Sequence, residues 1–221
     1  MAKNIKEGIK RKIARRLTKF ATKQFHIAYY NNYEIGNNTK WFGVKIQKLP
    51  LDMWIYQEMI YELRPEVIVE TGTADGGSAL FFAQMFDLLG KGEVITIDIK
   101  ECKMTHPRVT KLIGSSVSED IFKKVKNLVG NKKTLVILDS DHSKNHVSKE
   151  MEMYSELVSV GSYMVVEDTN VNGHPVAESH GPGPMEAVEE FLKKRKEFVV
   201  DHSREKFMLT FFPNGFLKRV A

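Results

Sequence analysis

A chain of 221 residues, 42% hydrophobic and 28% charged, is long enough for one sizeable core and has the composition of an ordinary globular domain. It contains no run of about 18 apolar residues that would cross a bilayer, and its amino terminus lacks the apolar core of a secretory signal. A single cysteine, Cys102, excludes an internal disulfide and a cysteine-rich zinc site, which suits a reducing, cytoplasmic setting.

The net charge of +5 is unevenly spread. Residues 1–24 carry nine Lys or Arg against Glu7 alone, a balance of +8, so the rest of the chain stands at 5 − 8 = −3. Within that segment Ile5, Ile9, Ile13, Leu17 and Ala21 recur every fourth residue and predict a helix with one apolar stripe. A basic amphipathic helix can lie on an anionic membrane surface or on nucleic acid. Packing of the stripe on the body or on a neighbouring subunit ranks first, peripheral membrane contact second and nucleic acid last. The chain is accordingly expected to form a homo-oligomer and to have no nucleic-acid partner. A cleavable organelle-targeting peptide shares this composition.

Residues 26–49, rich in Asn and Tyr and including Trp41, show no clear period. The expected division is therefore an extension over 1–49 and a domain over 50–221. Pro50 opens a predicted helix over 50–63, with Leu51, Trp54, Ile55, Met59 and Ile60 as its buried face, and Pro65 stops it. Strands and helices then alternate. Strands are expected at 67–69, 94–97, 109–113, 135–138 and 163–166, with helices at 77–89, 119–129 and 145–158. This pattern predicts a doubly wound α/β sheet with right-handed crossovers. After a helix over 184–196, β-rich segments at 198–200 and 207–212 follow one another directly and predict an antiparallel pair. Pro213-Asn214-Gly215 then turns the chain into Phe216-Leu217.

Two strand ends carry acids: Asp139-Ser140-Asp141-His142 after 135–138, and Glu167-Asp168 after 163–166. Ligands in open α/β sheets sit just beyond the carboxyl ends of the strands. Carboxylates gathered there repel one another unless protonated or neutralised by a cation, so a divalent metal is the first expectation. Between the first strand and its helix lies Glu70-Thr71-Gly72-Thr73-Ala74-Asp75-Gly76-Gly77-Ser78, where glycine permits close approach of a ligand to the backbone. No Gly-Lys-Ser/Thr follows, and Gly72 and Gly76 are four apart, so the loop is neither a nucleotide-hydrolase phosphate loop nor a G-x-G-x-x-G turn. Asp98 ends the next strand, where an acid commonly holds ribose hydroxyls. Two acids flanking a glycine loop suit a nucleoside without pyrophosphate, and S-adenosylmethionine fits. Glu70 would face its cationic or amino-acid end, Gly72 would allow close approach, Thr73 and Ser78 would add polar loop atoms, and Asp98 would grip the ribose. A plain strand-to-helix turn and a capping Asp98 are the simpler alternatives.

At these residues the chain resembles the class I methyltransferases. More closely it resembles the cephalosporin hydroxylase and rhamnosyl O-methyltransferase family, through Val69-Glu70-Thr71-Gly72, Leu138-Asp139-Ser140-Asp141-His142, Val166-Glu167-Asp168-Thr169, and Gly181-Pro182-Gly183-Pro184 with Glu186-Ala187-Val188. The likeness spans about residues 50–221 and leaves the basic arm outside. It implies a Rossmann-like sheet, mostly parallel with a reversed terminal strand, and metal-dependent methylation of a sugar hydroxyl on a polysaccharide, glycolipid or glycosylated metabolite. By position it assigns Asp139, Glu167 and Asp168 to Mg2+ or another divalent cation, with Asp139 also facing the cofactor. Ser116 falls where the family fold approaches adenine.

His142, three residues after Asp139, is the expected general base; catechol-type methyltransferases resemble this layout with a lysine at the equivalent spacing. Asp141 is expected to cap the following helix, and His146 to pack or hydrogen-bond. Residues 172–184, flanked by His174 and His180, would close over the acceptor. The competing expectations are a hydroxylase with redox iron, which needs two histidines and a carboxylate, and a non-catalytic membrane-associated binding module.

Overall fold

A computed structural model describes the backbone of residues 2–221 and the side chains of residues 7, 8 and 10–221. Ile5 and Ile9 of the expected stripe lie outside the described side chains. The basic segment forms helix α1 (Ala2–Tyr30), but Ile13 and Leu17 are 52% and 63% exposed and Ala21 is exposed too. Of the expected packing on the body or on a neighbouring subunit, the first is therefore corrected at these stripe positions. The first buried side chain of α1, among those described, lies near its C-terminal end. There His26 is buried and stacks on Phe211 (5.4 Å between ring centroids, 9° between planes), and its Nε2 accepts from the Asn170 amide at 2.9 Å.

The aperiodic stretch that follows resolves into short elements: α2 (Tyr33–Asn38) and a hairpin of β1 (Lys40–Trp41) and β2 (Val44–Lys45). Helix α3 (Pro50–Leu63) starts with proline in its first turn, where no amide hydrogen is needed. Its buried face is Asp52, Ile55, Tyr56, Met59 and Ile60. Trp54, expected inside, is exposed. The helical period runs the buried stripe through Asp52 instead, whose carboxylate accepts from the Phe211 amide at 2.9 Å.

The remaining elements are β3 (Val67–Thr71), α4 (Gly77–Leu89), β4 (Glu93–Asp98), β5 (Val109–Ile113), α5 (Glu119–Val129), β6 (Thr134–Leu138), α6 (Lys144–Tyr154), β7 (Tyr163–Val166), α7 (Pro184–Lys194), β8 (Phe198–Val200) and β9 (Phe216–Arg219). Seven strands form one sheet in the order β5-β4-β3-β6-β7-β9-β8. All pairings are parallel except those of β9, which runs antiparallel to both β7 and β8. The sheet separates two apolar layers. Val67, Val69, Val136 and Leu138 pack with α5, α6 and α7 on one side, while Ile68, Leu135 and Ile137 pack with α3 and α4 on the other. Burial on both faces explains the continuous apolar runs of these strands.

The expected antiparallel pair of 198–200 with 207–212 is corrected. Strand β8 pairs with β9, and residues 207–212 form no strand. Their aromatic side chains serve as anchors instead: Phe211 under α1, and Phe212 against Tyr56 and Phe216 in the core.

Candidate active site

The strand order reverses between β3 and β6, and a crevice at such a switch point is where ligands bind in this class of sheet. A cleft of about 510 Å³ opens there, lined by Gly72, Ala74, Asp98, Ile99, Ser116, Asp139, His142, His146 and Asp168. That volume lies within the range usual for small-molecule sites.

The glycine loop is held from both sides. The Gly72 amide donates to Ile97 O at 2.8 Å, and the Asp139 amide donates to Thr71 O at 3.0 Å. Gly72 has φ +88°, and a Cβ there would stand 1.8 Å from Asp139 O. The glycine is therefore required by the close passage of two strand ends, whatever binds above it. Asp98 fixes two turns, accepting from the Ala74 and Lys100 amides at 2.9 Å each. Ser116 Oγ lies 3.0 Å from His146 Nε2, which gives that histidine the hydrogen-bonding place expected for it.

Glu70 lies beneath the loop rather than in the cleft. It is fully buried, accepts from Thr96 Oγ1 at 2.7 Å, and leaves its Oε1 without a partner among the described residues. Burial pushes its carboxyl up to about 7, against the opposing pull of Lys48, Ser78 and Thr96. Thr73 and Ser78 are buried as well. They line a recess of about 40 Å³ that shares Gly72 and Asp139 with the cleft.

The acids converge as the strand register requires, because Leu138 pairs with Val166 and the next residues leave the sheet together. Asp168 has φ +52°, a left-handed conformation uncommon outside glycine. His142 Nε2 stands 3.4 Å from Asp139 Oδ1 and 3.2 Å from Asp168 Oδ2. One ligand atom each from Asp139, His142 and Asp168 lies within 4.8 Å of the others. This group holds one histidine, not the two that the redox-iron expectation requires. Glu167 faces inward, with Oε1 accepting from Tyr56 Oη at 2.6 Å and Oε2 from Lys48 Nζ at 2.6 Å. Lys48 Nζ also donates to Asp139 Oδ2 at 2.5 Å.

Burial disfavours charge on every member, and the outcome depends on each group's partner. Asp139 is held below the usual carboxylate range because Lys48 and His142 outweigh its burial. Burial raises Asp168 despite His142, while Glu167 is driven well above its usual value by burial and by Asp139. His142 is pushed up to about 9, since Asp139 and Asp168 overcome its desolvation.

Asp141 accepts from the Ser143 amide at 2.8 Å in a turn just before α6; the N-cap position is Ser143 itself and no side chain caps the helix, which corrects the expectation that Asp141 does so. The segment 172–184 is tied to the loop after β6: His180 Nε2 donates to His142 O at 3.1 Å, and the Lys144 amide donates to Pro182 O at 3.0 Å. Glu186 fastens it by accepting from Gly183 N, His174 Nε2 and Asn172 Nδ2. Lys48 and Tyr56 were not foreseen as site residues. The one sequence signal for Lys48 was a charge between Ile46 and Leu49, both of which are buried.

A seven-stranded sheet with one reversed strand, and a cleft at its switch point flanked by Gly72 and Asp98, define a class I methyltransferase. The chain belongs to the family Rhamnosyl O-methyltransferase/CmcI, which matches residues 33–220, and it is an S-adenosylmethionine-dependent O-methyltransferase. It is 38% identical over 216 residues to the rhamnosyl O-methyltransferase of Mycobacterium leprae (strain TN), covering 92% of this chain and 93% of that protein. With the rhamnosyl O-methyltransferase of Mycobacterium tuberculosis (strain ATCC 25618 / H37Rv) it shares 40% identity over 207 residues, 89% and 84% of the two chains. The fold is similar to that of CmcI solved with Mg and SAM (TM-score 0.64, 22% identity, 83% of this chain and 77% of that one). It is also similar to the MycE methyltransferase of the mycinamycin pathway in complex with Mg, SAH and mycinamycin VI (TM-score 0.55, 15% identity, 75% and 48%). Among the described residues no helix is long and apolar enough to cross a membrane.

Proposed function

We propose that the chain transfers a methyl group from S-adenosylmethionine to a sugar hydroxyl, on a polysaccharide, glycolipid or glycosylated metabolite, with Mg2+ or another divalent ion at the acidic strand ends. The observation that carries this reading is the convergence of Asp139, His142 and Asp168 on the wall of the cleft that also holds Gly72, Asp98 and Ser116. The donors are mainly hard carboxylate oxygens, which suit magnesium. The cluster already accommodates a cation, the Lys48 ammonium.

Asp98 would hold the ribose hydroxyls, Ser116 and the exposed Ile99 would flank the adenine, and Thr73 and Ser78 would meet the amino-acid end in their recess. Glu70 supports that loop from beneath through Thr96. The cofactor supplies a methyl carbon already activated by its sulfonium. A metal held by Asp139, Glu167 and Asp168 would supply Lewis-acid stabilisation of the developing alkoxide. With a cation on Asp139 and Asp168 opposing the pull that keeps the imidazole protonated, neutral His142 Nε2 would take the proton of the acceptor hydroxyl, a contribution of roughly 10²–10⁴ in rate.

The acceptor has a cavity of its own. Tyr29, Tyr30, Ile35 and Phe211 line a space of about 240 Å³ that shares Gln47 and Asp168 with the cofactor cleft. Aromatic walls beside the proposed metal ligands suit a pyranose ring with an apolar face. Residues 26–49 would thus select the acceptor. Across from α1, His174 and Pro175 border a groove of about 600 Å³ with Arg15, Lys19 and Lys23.

Helix α1 adds a peripheral role in this reading. Its exposed Ile13, Leu17 and Phe20 among flanking Lys and Arg support contact with an anionic bilayer surface. Co-sedimentation with anionic but not neutral vesicles tests this. A dimer in ultracentrifugation without lipid, abolished by Leu17→Glu, would assign the stripe to a second copy of the chain instead.

Labelled methyl transfer from S-adenosylmethionine, screened across rhamnosides, other glycans and nucleotide sugars, tests the main proposal. The expected result is label on a sugar hydroxyl. Cofactor binding with no transfer to any sugar would overturn the acceptor class.

A further inference from the structure

Lys48 reaches the site from the segment between β2 and α3, outside the sheet's strand ends, and its surroundings are unusual for a lysine. Its side chain is 4% exposed, and lysine is almost never buried unless paired. The ammonium lies 2.5 Å from Asp139 Oδ2 and 2.6 Å from Glu167 Oε2, between acids contributed by β6 and β7. His142 serves the opposite side of the cluster, facing Asp139 Oδ1 and Asp168 Oδ2. Among the described residues no other Lys or Arg pairs with these three acids.

The stem behind the ammonium is fixed. The Ile46 amide donates to Thr39 O at 3.0 Å, and Ile46 and Leu49 are buried on either side. The same segment presses on the start of α4 so closely that a Cβ on Gly77 would stand 2.3 Å from Lys45 O. The charge is thus placed by the fold at the two inner carboxylates. Lys48 also borders both the recess beside Gly72 and the aromatic cavity next to Asp168.

We propose that Lys48 is the protein's own cation at the metal site: its ammonium holds Asp139 and Glu167 together in the metal-free protein and competes with a divalent ion for them. The inference rests on the metal reading above. An ammonium and a divalent ion at the same two carboxylates repel strongly in a buried setting, so only one can hold both at full strength. Removing the ammonium leaves buried carboxylates without a counter-charge, which destabilises the empty site and favours the ion. The competition would keep the acidic cluster assembled between metal-binding events and weaken resident metal binding.

The test is titration with Mn2+ alone, read by electron paramagnetic resonance or calorimetry, on the full chain and its Lys48→Met and Lys48→Gln variants, with no methyl acceptor present. Lys48→Met should bind Mn2+ at least about tenfold more tightly than the parent chain. Its metal-free Tm should fall by roughly 10 °C and recover more on adding Mn2+ than that of the parent. A folded variant that binds Mn2+ no more tightly than the parent overturns the competition while leaving the metal reading intact. A parent chain that binds no Mn2+ overturns the metal reading and the competition together. Should neither variant fold without metal, refolding with 10 mM Mn2+ decides the matter: recovery supports the exchange of one cation for another, and failure to recover refutes it.

Discussion

His142 Nε2 stands 3.2 Å from Asp168 Oδ2, a contact made between the loop after β6 and a left-handed residue at the end of β7. It holds the imidazole on the wall of the cleft at the switch point and, with Asp139, pushes its pKa up from 6.5 to about 9 in the metal-free protein despite burial. A folded-state value above the unfolded one stabilises the fold fully below pH 6.5 and loses that contribution as pH rises through about 9. Melts in EDTA from pH 6 to 10 should therefore show a decline that His142→Gln flattens. An equal slope in both proteins would contradict the contact's role.

The same residue has a separate kinetic signature. His142→Ala at saturating metal should lower kcat by roughly 10²–10⁴ with the fold intact. A loss below about tenfold would remove it as the base.

Tyr56 is buried and donates to Glu167 Oε1 at 2.6 Å. Tyr56→Phe leaves that oxygen without its donor and should cost about 1–3 kcal/mol in urea unfolding. An unchanged midpoint would mean that Glu167 finds another donor.

Gly72→Ala separates two views of the glycine loop. The clash with Asp139 O and the φ of +88° make the substitution a folding defect, worth more than about 2 kcal/mol in the absence of any ligand. A variant that melts normally and only loses S-adenosylmethionine binding would restore the view that the glycine merely makes room for the cofactor.

Burial lowers the pKa of His26 to about 4, so it stays neutral while it stacks on Phe211 and accepts from Asn170. A depressed folded-state value means that this anchor's stability is intact above pH 6.5 and is lost as pH falls through about 4. Stability should drop more between pH 6.5 and 4 in the parent than in His26→Gln, a comparison read by thermal melts at each pH.

Much of this arrangement was legible in the sequence, for a physical reason. Strands buried on both faces, such as Leu135-Val136-Ile137-Leu138, write themselves as apolar runs, and the acids just past them mark the open end of the sheet. Residues 207–212 misled because the aromatic content that favours strands equally suits anchors, and Phe211 is spent on holding α1. Glu70 could be read to the end of its strand but not to its side of the loop, which Thr96 on the neighbouring strand decides. Lys48 and Tyr56 meet Glu167 across 119 and 111 residues, and no periodicity encodes such a contact.

The most direct test of the central claim is methyl transfer from labelled S-adenosylmethionine to a sugar acceptor, by the parent chain and by Asp139→Asn, before EDTA, after EDTA, and after Mg2+ is restored. The account predicts that the parent's turnover stops with EDTA and returns with Mg2+, while folded Asp139→Asn stays at least about a hundredfold slower throughout. Turnover that persists in EDTA, or survives in Asp139→Asn, would contradict it.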